Sequence, residues 1–170
     1  TGTVDVDETD AIALGNITAA SFTVSAGGAV SDTGTLTVSG TTDIDTAANN
    51  SDITLNTNTH SLNTLIVESG TGAVDIDETD ALTLQVDSAG DVTIDSVGAL
   101  TLNTGSMANL TVTDAASVTD AGALTVTGTT DIDTSTANGN VDLSNNTQSL
   151  NVFTVAAGTG TVMVDDTDAL

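Results

Sequence analysis

The hexapeptide Thr41-Thr42-Asp43-Ile44-Asp45-Thr46 returns letter for letter as Thr129-Thr130-Asp131-Ile132-Asp133-Thr134, 129 − 41 = 88 positions later. Extended outward, residues 19–82 align with 107–170 without a gap, and about half of the positions are identical. Self-similarity at a fixed displacement restricts a chain to folds assembled from repeated units, solenoids and arrays above all. A second match sets the size of the unit. Val4-Asp5-Val6-Asp7-Glu8-Thr9-Asp10-Ala11 returns as Val74-Asp75-Ile76-Asp77-Glu78-Thr79-Asp80-Ala81, displaced by 74 − 4 = 70, and again as Val162 to Ala169 at 162 − 74 = 88. The two displacements differ by 88 − 70 = 18. The surplus can be placed at residues 85–102, where Val92-Thr93-Ile94 follows Val74-Asp75-Ile76 by 18 and Leu100-Thr101-Leu102 follows Leu82-Thr83-Leu84 by 18. A fold of stacked coils accepts one whole extra turn without disturbing its neighbours, so the elementary unit is a coil of about 18 residues.

Apolar residues spaced by two recur along the whole chain, as in Val4/Val6, Phe22/Val24, Leu36/Val38, Ile53/Leu55, Leu82/Leu84, Leu110/Val112, Val141/Leu143 and Phe153/Val155. Period two means strand, with the pair turned inward and the intervening Thr or Asp outward. Val30, Ile44, Val118 and Ile132 fill the longer gaps and predict a third short strand per coil. Turn residues separate the pairs: Gly27-Gly28, Asp32-Thr33-Gly34, Ser69-Gly70-Thr71-Gly72 and Asn138-Gly139-Asn140. A two-sheet sandwich would also give short strands at such spacing, but the 18-residue quantum decides for a parallel β-solenoid, an all-β rod roughly 45 Å long at ~4.8 Å per coil. Residues 1–170 read as one continuous segment of a longer array: a repeat over 1–70 with about four coils, a longer repeat over 71–158 with about five and its extra coil near 85–102, and the start of a third repeat at 159–170. Phe22, Phe153, Met107 and Met163 are expected to be core residues or gap fillers, and His60, which aligns with Gln148, is expected in a surface loop.

Composition excludes whole classes of function. The chain has no Lys, Arg, Pro or Cys, 24 acidic residues, one His and a formal charge of −24. Without cations it has nothing to neutralise the phosphates of nucleic acid or the headgroups of an anionic membrane. It has no apolar run long enough to cross a bilayer, and without disulfides the fold must hold by stacking. Disorder, the common fate of acidic chains poor in aromatics, is outweighed by 38% hydrophobic residues in strict alternation.

Runs such as Thr79-Asp80-Ala81-Leu82-Thr83-Leu84, Ala26-Gly27-Gly28-Ala29-Val30, Thr35-Leu36-Thr37-Val38-Ser39-Gly40-Thr41-Thr42 and Asp52-Ile53-Thr54-Leu55-Asn56 resemble the repeat regions of giant bacterial surface adhesins of the filamentous-haemagglutinin type. The resemblance covers nearly the whole chain. It implies a right-handed parallel β-helix in a long secreted or surface-attached fibre.

The clusters with possible chemistry are acidic: Asp5/Asp7/Glu8/Asp10, Asp43/Asp45, Asp75/Asp77/Glu78/Asp80, Asp131/Asp133 and Asp165/Asp166/Asp168. Asp5 and Asp7 alternate with inward Val4 and Val6, so both carboxylates should emerge on one outer face. Like charges one coil apart repel by about 0.9 kcal/mol in bulk water, which favours a compensating cation. Calcium, which takes several carboxylate and carbonyl oxygens, is the candidate at Asp5, Asp7, Asp43, Asp45, Asp75, Asp77, Asp131 and Asp133. The competing reading is a solvated acidic face with diffuse counterions, because neither the glycine-rich calcium nonapeptide nor an EF-hand loop is present. Four Asn-x-Ser/Thr sequons, at Asn16, Asn49, Asn109 and Asn145, are candidate glycan acceptors. Paired carboxylates also occur in glycoside hydrolases, but the lack of sugar-stacking aromatics and cations speaks against an enzyme.

The expectation is therefore a structural shaft of an extracellular fibre or adhesin stalk at the cell surface. Its partners would be neighbouring repeats or like subunits, end to end or side by side, and another cell's surface through other parts. A self-assembling filament, sheath or surface-layer subunit, calcium-stabilised or not, is the alternative.

Overall fold

The computed structural model describes residues 2–167, so Asp168 of the last acidic cluster lies outside the described residues. Fourteen strands form in chain order: β1 (Thr3–Glu8), β2 (Ile12–Leu14), β3 (Ile17–Ala19), β4 (Ser21–Ala26), β5 (Val30–Asp32), β6 (Leu36–Asp45), β7 (Ile53–Glu68), β8 (Val74–Glu78), β9 (Leu82–Ser96), β10 (Ala99–Thr113), β11 (Ser117–Asp120), β12 (Leu124–Asp133), β13 (Val141–Ala156) and β14 (Val162–Asp166). Every described pairing is parallel. Parallel pairing of successive strands without crossover helices requires the chain to wind around an axis, and the result is the expected β-solenoid, with about 9 turns about 19 residues apart.

Two ladders run the length of the stack. On face one, Ile12, Val30, Ile53, Val74, Val92, Leu110, Thr130 and Phe153 lie one above another. On face two, the order is Val4, Phe22, Thr42, Leu65, Leu84, Leu102 and Asp120, and the adjoining Val118 continues to Val141 and Val162. Alternation along each strand turns these residues inward, and one continuous buried cluster extends from Leu14 to Leu150. Each fully buried Val, Leu, Ile or Phe among them contributes roughly 1.5–3 kcal/mol. The expected inward pairs hold through the interior coils. At the ends Val4 and Val6 are half-buried and Val162 is exposed.

Coils of 18 residues flank and include residues 85–102. Val74, Val92 and Leu110 sit on consecutive coils at spacings of 18, and so do Leu82, Leu100 and Val118. Other coils are longer: Val30 to Ile53 spans 53 − 30 = 23 residues. The surplus goes into corner loops, such as the one containing the 3-10 turn Ala47–Asn49, which closes on Asn50 in the left-handed conformation.

The coil count of the repeats is corrected. Val30 stands on face one, yet its counterpart 88 residues later, Val118, stands on face two; Thr42 and Thr130 exchange faces in the opposite sense. From Val30 the chain makes four full coils to Leu110 and a further half coil to Val118. The longer repeat is therefore four and a half coils, not five. Likewise the shorter one, from Val4 through Phe22, Thr42 and Leu65 to Val74, is three and a half, not four.

The half coil relocates a third, shorter side. In the first half of the chain this side lies where face one passes to face two, with Ile17 beneath Leu36 and Ala19 beneath Val38 and Leu62. In the second half it lies where face two returns to face one, along Ala89, Met107, Val126 and Leu150.

Candidate functional site: two polar corners inside the stack

Each third side carries a buried polar cluster, and the two clusters occupy equivalent repeat positions. In the first, Asp32 ends β5 and turns inward in the phase set by Val30. Its Oδ1 accepts the Thr57 amide at 3.1 Å, and its Oδ2 accepts the Asn58 amide and the Asn58 Nδ2, both at 2.9 Å. His60, in mid-β7, is in register with Glu78. Its Nδ1 accepts the Leu36 amide at 3.1 Å, so this nitrogen carries no proton and Nε2 carries the hydrogen. That Nε2 faces Asp32 Oδ2 at 3.7 Å, too long for a hydrogen bond, and makes no hydrogen bond among the described residues. Glu78 closes the corner. Its Oε2 accepts the Leu62 amide at 2.9 Å, and its Oε1 accepts the amides of Thr79 and Asp80, each at 3.0 Å.

In the second cluster Asp120 replaces Asp32, Gln148 replaces His60 and Asp166 replaces Glu78. Asp120 accepts the amides of Asn145 at 3.1 Å and Asn146 at 2.7 Å, together with both Asn side-chain amides and Gln148 Nε2 at 3.0 Å. Gln148 Oε1 accepts the Leu124 amide at 2.7 Å, and Asp166 Oδ1 accepts the Leu150 amide at 2.9 Å. Side chains thus stand in for the carbonyl acceptors that the ladder lacks where its register shifts, at Leu55/His60 and Leu143/Gln148.

The expected surface loop at His60 is therefore corrected: the residue is 1% exposed and lies in a strand, and so is buried Gln148. Leu62 and Leu150 are inward, and period two places the residues two positions earlier inward as well. Met163 is corrected too: it is 48% exposed, in the outward phase between Val162 and Val164. Phe22 and Met107 are buried and Phe153 is half-buried. Glu78 leaves the acidic outer cluster to which its sequence position assigned it.

Burial governs the charges at the first corner. It would raise Asp32, but the Asn58 side chain, the Thr57 amide, His60 and the Asn58 amide together hold its carboxyl below the ordinary range. Burial lowers His60, against the opposing pull of the Asp32 carboxylate. Burial pushes Glu78 up to about 7, against the three amides that favour its carboxylate.

The outward carboxylates follow the strand pattern. On face two Asp5 lies beside Thr23 and then Asp43, and Asp7 beside Ser25, Asp45 and Glu68. On face one Asp75 is followed by Thr93, Thr111 and Asp131, and Asp77 lies directly beside Asp95. Hydroxyls thus separate most carboxylates along the axis. Asp43 is raised by partial burial and by Asp87 and Asp45; Asp77 is raised by partial burial and by Asp95, Asp75 and Asp32. Asp133 is held low by the Ser135 side chain and amide. Among the described residues no three His, Asp or Glu side chains converge on one point that could hold an ion.

Of the sequon asparagines, Asn49 donates its side-chain amide to the Gly27 carbonyl at 2.6 Å, Asn109 to Asp91 at 2.6 Å, and Asn145 to the Asp120 carbonyl and carboxylate at 3.2 Å. Asn16 is exposed and uses its Oδ1 to accept the Thr35 amide at 2.9 Å. No pocket opens among the described residues.

No curated protein and no solved structure matches the chain significantly. One family does, through two segments, residues 1–69 and 89–160, whose starts are 89 − 1 = 88 apart and which leave a single coil, 70–88, between them. On that match the chain belongs to the family described as repeats of unknown function (DUF5649).

Proposed function

We propose that this segment is a structural shaft, giving length and stiffness to an extracellular fibre or adhesin stalk on a cell surface, and that it is not an enzyme. The observation that carries the reading is the unbroken parallel ladder from β1 to β14 around a single buried apolar column. Stacked backbone hydrogen bonds resist extension along the axis, and because each coil touches only its neighbours, length can grow by repetition. The formal charge of −24 keeps such rods soluble and apart. The missing Lys and Arg leave no trypsin site, which suits an exposed fibre.

The test is location. Antibodies raised against residues 2–167 should label intact cells of the source organism, and brief proteinase K treatment of those cells should remove the signal. Labelling that needs lysis would end the surface reading.

A second reading is a filament of like subunits joined end to end, for which the parallel stacking of coil on coil offers the mode of joining. Purified segment that forms long filaments in electron micrographs supports it, and single short rods oppose it.

A further inference from the structure

We propose that the corner built by Asp32, His60 and Glu78 is an acid-opened seam on one side of the rod, whereas the equivalent corner at Gln148 is its acid-inert counterpart. The two corners differ in the identity of one acceptor. The amides of Leu36 and Leu124 occupy equivalent positions, 124 − 36 = 88 residues apart, and each bonds a side chain of the next coil rather than a carbonyl. Gln148 presents an oxygen to Leu124 and an N–H to Asp120, and it does so at every pH. Neutral His60 presents the same pair, Nδ1 as acceptor and Nε2–H toward Asp32, but only while it is neutral. A second proton must enter at Nδ1, where it meets the Leu36 N–H donor against donor. The Leu36 amide is then left without its partner at a buried position.

The charges around the ring do not relieve this. Asp32 on β5 lies 3.7 Å from Nε2 and favours the imidazolium, but its oxygens are already taken by Thr57 and Asn58. Glu78 on β8 is in register with His60 and is occupied by three amides, while Asp80 takes the Ser61 hydroxyl at 2.6 Å. Asp77 stands outward beside Asp95 of β9. Asp43 and Asp45 of β6 and Asp87 of β9 belong to the next face, along Ile66 and Glu68. Burial of the ring opposes its protonation and agrees with the geometry.

The sign follows. The opened corner lets His60 return to its ordinary value of 6.5, so acid favours opening, and the effect vanishes above that value. Protection from hydrogen exchange, measured by NMR and corrected for intrinsic rates, should fall at Leu36 relative to Leu124 between pH 7.5 and pH 5. The fall is at most about thirtyfold, the limit set by the ordinary histidine value at pH 5. The ratio removes any pH effect on the whole rod. H60Q, which installs the residue that already serves at position 148, should abolish the relative fall while keeping both amides protected at pH 7.5. A ratio that stays constant to pH 5, or one that falls equally in H60Q, would overturn the proposal; the second result would pass the role to Glu78.

Discussion

At the scale of single residues, the two phenylalanines and the two unpartnered threonines form a pattern. Thr42 and Thr130 are buried, their hydroxyls bond nothing among the described residues, and each lies in register beside a phenylalanine: Thr42 beside Phe22, Thr130 beside Phe153. A small residue next to a large one keeps the column evenly filled, which accounts for the size but not for the hydroxyl. Thr42→Val and Thr130→Val, close in shape, should each stabilise the fold by about 1 kcal/mol in urea unfolding, since no hydrogen bond is lost. Destabilisation would reveal a partner for the hydroxyl. Asp32→Ala should cost about 2 kcal/mol by the same measurement, because it removes the acceptor of the part-buried amides of Thr57 and Asn58. Glu78 gives a pH signature. Its folded value, about 7, lies above the unfolded 4.5, so its contribution is complete below pH 4.5 and is lost as pH rises to about 7. Glu78→Gln cannot titrate. Across that window the parent should lose on the order of 2 kcal/mol relative to the variant, and parallel curves would show that the three amides win over burial. None of these roles stood out in the sequence. His60 sits in a run of Asn and Thr that carries no apolar alternation, and the inward Leu62 two residues later was the signal that could have placed it.

At the scale of the coil, the sequence was most legible. The period-two pairs, the turn residues and the 18-residue spacing all reappear as strands, corners and register. Removal of one whole coil, residues 85–102, should therefore leave a cooperatively folding β protein, because it brings the residue after Leu84 to the place held by the residue after Leu102, and those two stack on one another. Removal of half as much, residues 85–93, should unfold the second repeat; circular dichroism and urea titration read both. Close stacking at the corners gives a further test. Gly98 lies against the Asp80 carbonyl, so that an added methyl would collide with backbone, and Gly98→Ala should lower stability by more than 1 kcal/mol. The half coil was not legible. Displacements of 70 and 88 divide by 18 into nearly four and nearly five, and the longer corner loops, which stretch some coils to 23 residues, made the true three and a half and four and a half look like whole numbers.

For the whole molecule, charge is the dominant variable. With 24 acidic residues and no Lys or Arg, repulsion along the rod should weaken it at low ionic strength, and the melting temperature should rise with sodium chloride up to the range where screening is complete. Specific calcium sites would behave differently. Melting followed by circular dichroism at fixed ionic strength, with calcium and with a chelator, separates the two: equal curves mean a solvated acidic face, and a large loss in chelator means that the Asp pairs bind the ion. The half coil also sets how such a rod is read from outside. One repeat of 70 and one of 88 residues pass before Val4 returns, as Val162, to the same face, which is 3.5 + 4.5 = 8 coils or about 38 Å at ~4.8 Å per coil. In an array that continues the pattern, a receptor confined to one side meets every second copy and skips the one between. A two-headed receptor grips both copies on its side only when its heads are set about 38 Å apart, so the winding of the chain becomes a ruler for avidity.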